Sequence, residues 1–86
     1  MTKELIQRVE GLRRRRHNLA PRELEQLARD CGWTHARTRG SHAIYVKEGF
    51  RGNLAIPRHA KVRGNLALRL LNVIEASLLG SEEDES

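Results

Sequence analysis

Three stretches of the chain repeat apolar residues every three or four positions, as one face of an α-helix requires. The predicted helices are residues 2–16, residues 21–31 and a stretch from residue 63 or 65 to residue 79. Pro21 suits the first turn of the second helix, because a backbone N–H at that position would have no partner within the helix. Gly32 and Gly80 suit the C-terminal ends of the second and third helices. The third helix has the widest apolar face and is predicted to be the main core helix.

Between the last two helices the pattern changes to short runs of β-forming residues separated by glycine. The predicted strands are residues 33–38, 41–47 and 53–57, joined by a two-residue turn at 39–40 and a loop at 48–52. Pro57 cannot donate to a strand ladder, so it marks a strand end or a sheet edge. The order helix, helix, three antiparallel strands, helix predicts an α+β fold with the helices on one face of the sheet.

Strand parity decides which side chains share a face of the predicted sheet. Pairing Val46 with Leu54 and Ile44 with Ile56 puts these apolar side chains on one buried face. The same register extends to the start of the middle strand, where polar residues replace the apolar ones.

His42 lies at the end of that apolar row. The predicted register places it opposite Arg58 on the third strand, and the turn at 39–40 places it opposite Arg37 on the first. His42 is therefore the candidate catalytic residue, and His59 is a candidate second proton carrier. The predicted RNA-binding residues are Arg37, Arg39, Ser41, Arg58, Lys61 and Arg63.

The charge balance points to an anionic partner. Residues 1–80 carry 16 basic and 7 acidic side chains, and 13 of the bases are arginines, whose planar fork suits phosphate oxygens. The acidic segment 81–86 has nothing to bury and is predicted to be disordered. This balance favours nucleic acid, although a small basic domain that binds a protein has a similar composition.

The length and the cysteine count predict one domain in a reducing, cytoplasmic setting. The chain has 86 residues and one cysteine, so it forms no internal disulfide. Cys31 falls on the apolar face of the second helix and is predicted to be a core residue. No apolar run approaches the roughly 20 residues that span a bilayer, so we expect no membrane contact.

Metal-independent cleavage of RNA needs a base for the attacking 2′-hydroxyl, an acid for the leaving oxygen and cations for the growing charge. One or two histidines among arginines meet these needs with no metal and no other cofactor. The alternatives are that His42 only ends its strand with a hydrogen bond, and that the basic surface binds RNA or a protein without chemistry. Arg13 to Arg16 are predicted either to end the first helix in solvent or to form an arm that grips phosphates or a partner.

The stretch from Pro21 to about Leu79 resembles the HicA toxins of bacterial toxin–antitoxin pairs. The resemblance is carried by Cys31-Gly32-Trp33, by Arg37-Thr38-Arg39-Gly40-Ser41-His42 leading into Ile44-Tyr45, by Leu54-Ala55-Ile56-Pro57-Arg58-His59, and by the apolar helix from Leu66 to Ile74. It implies a fold like that of a double-stranded-RNA-binding domain and a metal-independent endoribonuclease that cleaves messenger RNA. It also implies a HicB-like antitoxin that covers the active site, and it makes His42 the counterpart of the family's essential histidine.

The resemblance divides the chain into three parts. Residues 1–17 form an added N-terminal helix with a basic end, similar to that of longer HicA-like proteins. Residues 18–80 form the HicA-like domain, and residues 81–86 form the acidic tail. A non-catalytic RNA-binding module with the same fold is the alternative function.

Overall fold

Three helices and a three-stranded sheet make up the chain, for which the computed structural model describes the backbone of residues 2–84 and the side chains of residues 2–80. The elements are α1 (Thr2–Arg14), α2 (Pro21–Asp30), β1 (Thr34–Arg39), β2 (His42–Val46), β3 (Leu54–Pro57) and α3 (Gly64–Asp84). The strands are antiparallel in the order β1-β2-β3. The predicted α+β fold and its element order are therefore confirmed. None of the helices within residues 2–84 is long and apolar enough to cross a membrane.

Helix α2 begins at the predicted residue and ends one residue before the predicted end. Pro21 is its first residue, and the Glu23 carboxylate accepts a hydrogen bond from the Ala20 N–H at 3.0 Å, which satisfies one donor at the helix start. Gly32 follows the last turn with a φ of +98°, a left-handed conformation that favours glycine. Cys31 is buried as predicted, and burial raises the pKa of its thiol.

The sheet buries Ala43 and Tyr45, which the predicted register had placed on the other face. Both are fully buried and pack in the core with Leu54 and Ile56. The pairs Ala43–Ile56 and Tyr45–Leu54 define this face. The predicted register between β2 and β3 is therefore wrong by one residue, because the tyrosine ring rather than the next aliphatic side chain fills the space under α2.

Residues that alternate with these lie on the opposite face of the sheet, called here the open face. Ile44 pairs with Ala55, and His42 pairs with Pro57. Arg37 joins them, because it pairs with Ile44 across β1 and β2 after an irregularity in the register between residues 35 and 37.

The turn between β1 and β2 also differs by one residue from the prediction. Strand β1 extends to Arg39, so the two-residue turn is Gly40-Ser41 rather than Arg39-Gly40. Gly40 has a φ of +62°, which a hairpin turn of this length requires. As a result Arg39, and not Arg37, lies opposite His42.

Helix α1 is packed onto the domain. Val9 is fully buried, and the Arg13 guanidinium donates to Glu75 at 2.7 Å and to Asn72 at 2.6 Å, both on α3. Arg13 also pairs with Glu10 of its own helix. Neither interpretation of Arg13 to Arg16 accounts for Arg13, because its side chain connects α1 to α3.

Helix α3 supplies the largest part of the core and continues past the predicted stop at Gly80 to Asp84. A glycine inside a helix costs only about 1 kcal/mol relative to alanine, and the glutamates that follow favour helix. The helix includes the first four residues of the segment predicted to be disordered, and residues 85 and 86 lie outside the described residues. Near the middle of α3, Ser77 accepts a 3.1 Å hydrogen bond from the Trp33 indole N–H, which ties the start of β1 to the helix.

Candidate nucleic-acid interface

His42 is the first residue of β2 and lies exposed on the open face of the sheet. It pairs with Arg39 of β1 on one side and with Pro57 of β3 on the other. Side chains that face each other across antiparallel strands have Cβ atoms about 4.5–5.5 Å apart. The imidazole of His42 and the guanidinium of Arg39 are therefore close enough to contact the same anionic group.

Two other predicted residues lie near this pair. Arg37 is exposed on the open face, two residue pairs further along the β1–β2 ladder than Arg39. Ser41 belongs to the turn that joins Arg39 to His42, and its carbonyl accepts a hydrogen bond from the Arg58 N–H at 2.9 Å. The structure thus brings together four of the predicted residues, counting His42 itself.

Arg58 is not opposite His42 as predicted. Its Nη2 donates to the Glu25 carboxylate at 3.3 Å, which places the guanidinium beside α2 on the helix-covered side of the sheet. This follows from the one-residue change of register, because alternate residues of a strand point to opposite faces.

The other three predicted residues lie in the segment between β3 and α3. His59, Lys61 and Arg63 are exposed there. Val62, in the middle of the segment, exchanges backbone hydrogen bonds of 2.8 and 2.9 Å with Leu19, just before α2. The end of this segment therefore lies beside the residues that precede α2. The roles predicted for the three side chains stay predictions.

A groove of about 310 Å³ opens from His42 along the free edge of β3. The lining residues are His42, Asn53, Leu54, Ala55, Leu66, Arg69, Leu70 and Val73. Arg69 is exposed and lies on the α3 wall of the groove. The sequence analysis missed it, although one signal was present: it is the single basic residue of α3 and lies three residues after Leu66, on the same side of the helix.

A network of polar side chains lies on the other side of the sheet, beneath the interface. The buried Glu25 carboxylate accepts hydrogen bonds from the Tyr45 hydroxyl at 2.5 Å and from Arg58. Burial alone would raise the pKa of the Glu25 carboxyl, but these bonds and the nearby guanidinium groups hold its pKa below the ordinary value. For the Tyr45 hydroxyl, burial first and then the Glu25 carboxylate raise the pKa to about 12.

A second groove, of about 610 Å³, separates α1 from α2 and contains none of the predicted site residues. Its walls carry Arg8 and Arg15, whose guanidinium groups pair with Asp30 and Glu23 at 2.7 Å each. The pairing with Arg15, followed by the hydrogen bond from Ala20, lowers the pKa of the Glu23 carboxyl. Arg15 therefore contributes to the contact between helices, as Arg13 does. Its ion pair with Glu23 explains the presence of an arginine here without a bound phosphate.

The open face combines an exposed histidine, an opposing arginine and an adjacent groove with a second arginine on its far wall. Such an arrangement on a small basic α+β domain has the charge and the exposure that binding of a polyanion requires. Among the described residues, no three histidine, cysteine, aspartate or glutamate side chains lie together where they could hold a metal ion.

A family model described as the HicA toxin of bacterial toxin–antitoxin systems matches residues 21–72. The match covers more than half of the chain, which therefore belongs to the HicA toxin family and is the toxin of a toxin–antitoxin system. The matched part runs from the first residue of α2 into α3, and α1 precedes it. Comparison with curated proteins and with solved structures gave no match.

Proposed function

We propose that this HicA-family chain is a metal-independent endoribonuclease that cleaves messenger RNA, with His42 as its general acid or base. The observation that carries the proposal is the exposure of His42 directly opposite Arg39 on the open face of the sheet. Family membership supports a toxin with a ribonuclease activity.

The reaction is a transesterification within the RNA strand. The 2′-oxygen attacks the adjacent phosphorus as its proton is taken by a base, and the bond from phosphorus to the 5′-oxygen breaks as that oxygen receives a proton from an acid. The products are a 2′,3′-cyclic phosphate and a 5′-hydroxyl. An imidazole can serve as either proton carrier near neutral pH.

The arginines around His42 would neutralise the charge that grows on the phosphate in the transition state. In this proposal Arg39 would contact the scissile phosphate and Arg37 a neighbouring one, since both lie on the open face with His42. Arg69, on the far wall of the groove, would hold the strand as it leaves the sheet edge. His59 stays a candidate second proton carrier.

The experiment compares wild-type protein, His42→Ala and the matched control His17→Ala, with RNA in the presence of EDTA. His17 is an exposed histidine between α1 and α2, outside the proposed site. We expect wild type and the control to cleave, and His42→Ala to bind RNA while its cleavage rate falls by about 10²-fold or more. Placing a 2′-deoxynucleotide at the cleaved position should stop the reaction, because the attacking oxygen is then missing.

The outcomes separate the candidate functions. Undiminished cleavage by His42→Ala would refute the role of this residue. RNA binding without cleavage by any of the three proteins would favour the alternative, a non-catalytic RNA-binding module.

The partner that we propose for control of this activity is a HicB-like antitoxin that covers the open face. In cells, production of the chain alone should arrest growth, and co-production of the antitoxin should restore it. His42→Ala should be tolerated without the antitoxin. Arrest by this variant as well would place the toxicity in a surface other than the proposed site. The cytoplasmic location follows from messenger RNA being the target and stays a prediction.

A further inference from the structure

A buried carboxylate lies behind the strand that carries His42. Glu25 is 8% exposed, and it accepts hydrogen bonds from the Tyr45 hydroxyl of β2 and from the Arg58 guanidinium just after β3. One helical turn further along α2, Arg29 lies over the Tyr45 ring at 5.6 Å from the centroid. Glu25 therefore links its helix to β2 and to the end of β3 at the same time.

Arg58 also contacts the turn before His42 through its backbone. Its N–H donates to the Ser41 carbonyl at 2.9 Å, beyond the last strand pair, His42 with Pro57. Pro57 has no N–H, so it cannot supply a backbone donor at this end of the sheet. The bond from Arg58 is what continues the pairing of β2 and β3 past His42.

The two roles of Arg58 make a chain of contacts from Glu25 to His42. The carboxylate fixes the guanidinium, and the backbone of the same residue fixes Ser41, which is covalently joined to His42. The pair is only partly buried, because the Arg58 side chain is 37% exposed, and a partly exposed ion pair adds little net stability, so stability alone gives weak reason for a charge at this position. The charge has a more specific effect on geometry, because its hydrogen bonds hold α2, β2 and the end of β3 in one arrangement.

We propose that Glu25 is a positioning residue for His42, which acts through Arg58 by holding the Gly40-Ser41 turn. The imidazole is thereby kept at one place on the open face of the sheet. Its effect on cleavage rests on the proposed function, whereas its effect on the position of the ring does not.

The experiment starts with Glu25→Gln, which keeps the size of the side chain and removes its charge. The matched control is Glu23→Gln, which removes a charge from the same helix, where it pairs with Arg15 at 2.7 Å. We expect Glu25→Gln to speed hydrogen exchange of the Arg58 amide by about tenfold and to move the His42 ring signals in NMR spectra. Glu23→Gln should leave both unchanged even if it lowers the melting temperature equally.

The cleavage arm measures kcat and KM separately. A displaced catalytic group lowers kcat, here by about tenfold to a hundredfold, with KM for the RNA changed little. If Glu25 acts through Arg58, the double variant Glu25→Gln/Arg58→Met should be no slower than Arg58→Met alone. Additive losses would overturn the proposed route.

Unchanged Arg58 exchange and unchanged His42 signals in a folded Glu25→Gln protein would overturn the positioning role. If that variant does not fold, Arg58→Met tests the positioning role, because it removes the guanidinium and keeps the backbone N–H. Unchanged His42 ring signals in folded Arg58→Met would then overturn the role. Absence of cleavage by wild type would refute the proposed function, while the exchange and ring signals would still decide the position of His42.

Discussion

Arg39 lies directly opposite His42 across β1 and β2, and the two-residue turn Gly40-Ser41 joins them. The turn fixes the spacing of the two side chains through the backbone, so their proximity does not depend on core packing. Because both are exposed on the open face of the sheet, a phosphate group can approach them without any rearrangement of the helices.

Arg39→Ala should lower cleavage more than any other single arginine substitution on the open face. Removing one group that stabilises transition-state charge costs about 10²-fold in kcat. Arg37→Ala should cost less, because Arg37 lies two residue pairs further along the ladder from His42. The control Arg51→Ala removes the same charge from an exposed position in the loop between β2 and β3. Equal losses for Arg39 and Arg51 would mean that net charge alone matters.

Arg69→Ala should weaken RNA binding with little change in kcat. Arg69 lines the groove that starts at His42 but lies on its far wall, on α3. Loss of one contact to a phosphate of single-stranded RNA makes the slope of log K against log salt shallower by about 0.7. Binding titrations at several salt concentrations measure this slope, with Arg51→Ala again as the control. An unchanged slope would exclude Arg69 from the RNA-binding surface.

Arg13→Ala should destabilise the fold, in contrast to Arg14→Ala. The Arg13 side chain donates to Glu75 and Asn72 of α3, whereas the exposed Arg14 side chain has no hydrogen-bonding partner among the described residues. Loss of hydrogen bonds to a charged group should cost about 1–2 kcal/mol, or about 5–10 °C in melting temperature for a domain of this size. Thermal unfolding of both variants measures the difference. Equal melting temperatures would show that α1 is not held by this contact.

The helices were predictable because their apolar faces and their Pro21 and Gly32 boundaries are local signals. The strand register was not, because Ile44 and Val46 are more hydrophobic than the side chains that alternate with them. Ile44 is itself only 8% exposed, but the structure turns Tyr45 towards the helices, where Glu25, twenty residues earlier, supplies an acceptor for its hydroxyl. That partnership is not visible in the local pattern, and a one-residue slip moves every side chain of a strand to the other face.

Two separate pairing errors, one on each side of β2, decided which arginines were assigned to the candidate site. His42 itself was recognised from its position after a glycine turn, and that position does not depend on how the strands pair. Arg58 was placed opposite it by the wrong register of β2 and β3, whereas Arg37 took the place of Arg39 because the turn between β1 and β2 was predicted one residue too early. Arg69 is separated from His42 by 27 residues in the chain, so no strand-pairing argument could bring it to the groove.

The single tyrosine of the chain gives a direct test of the packing beneath the site. Burial, followed by the Glu25 carboxylate, raises the pKa of Tyr45 to about 12, compared with about 10 for an unperturbed tyrosine. Because the pKa is raised in the folded state, the stability linked to this proton is fully present below pH about 10 and is lost as the pH rises towards 12. Absorbance of the ionised phenol measures the midpoint, while the fluorescence of Trp33, the single tryptophan, reports whether the protein is still folded.

Glu25→Gln should lower the midpoint of that tyrosine titration, because the substitution removes the negative charge that opposes ionisation of the phenol. Glu23→Gln should not, since Glu23 pairs with Arg15 and not with Tyr45. A wild-type midpoint near 10 in protein that is still folded would contradict the buried hydrogen bond between Tyr45 and Glu25. Because that bond is one of the two that hold the carboxylate against the sheet, its loss would leave the bond from Arg58 as the single hydrogen bond that fixes Glu25 among the described residues.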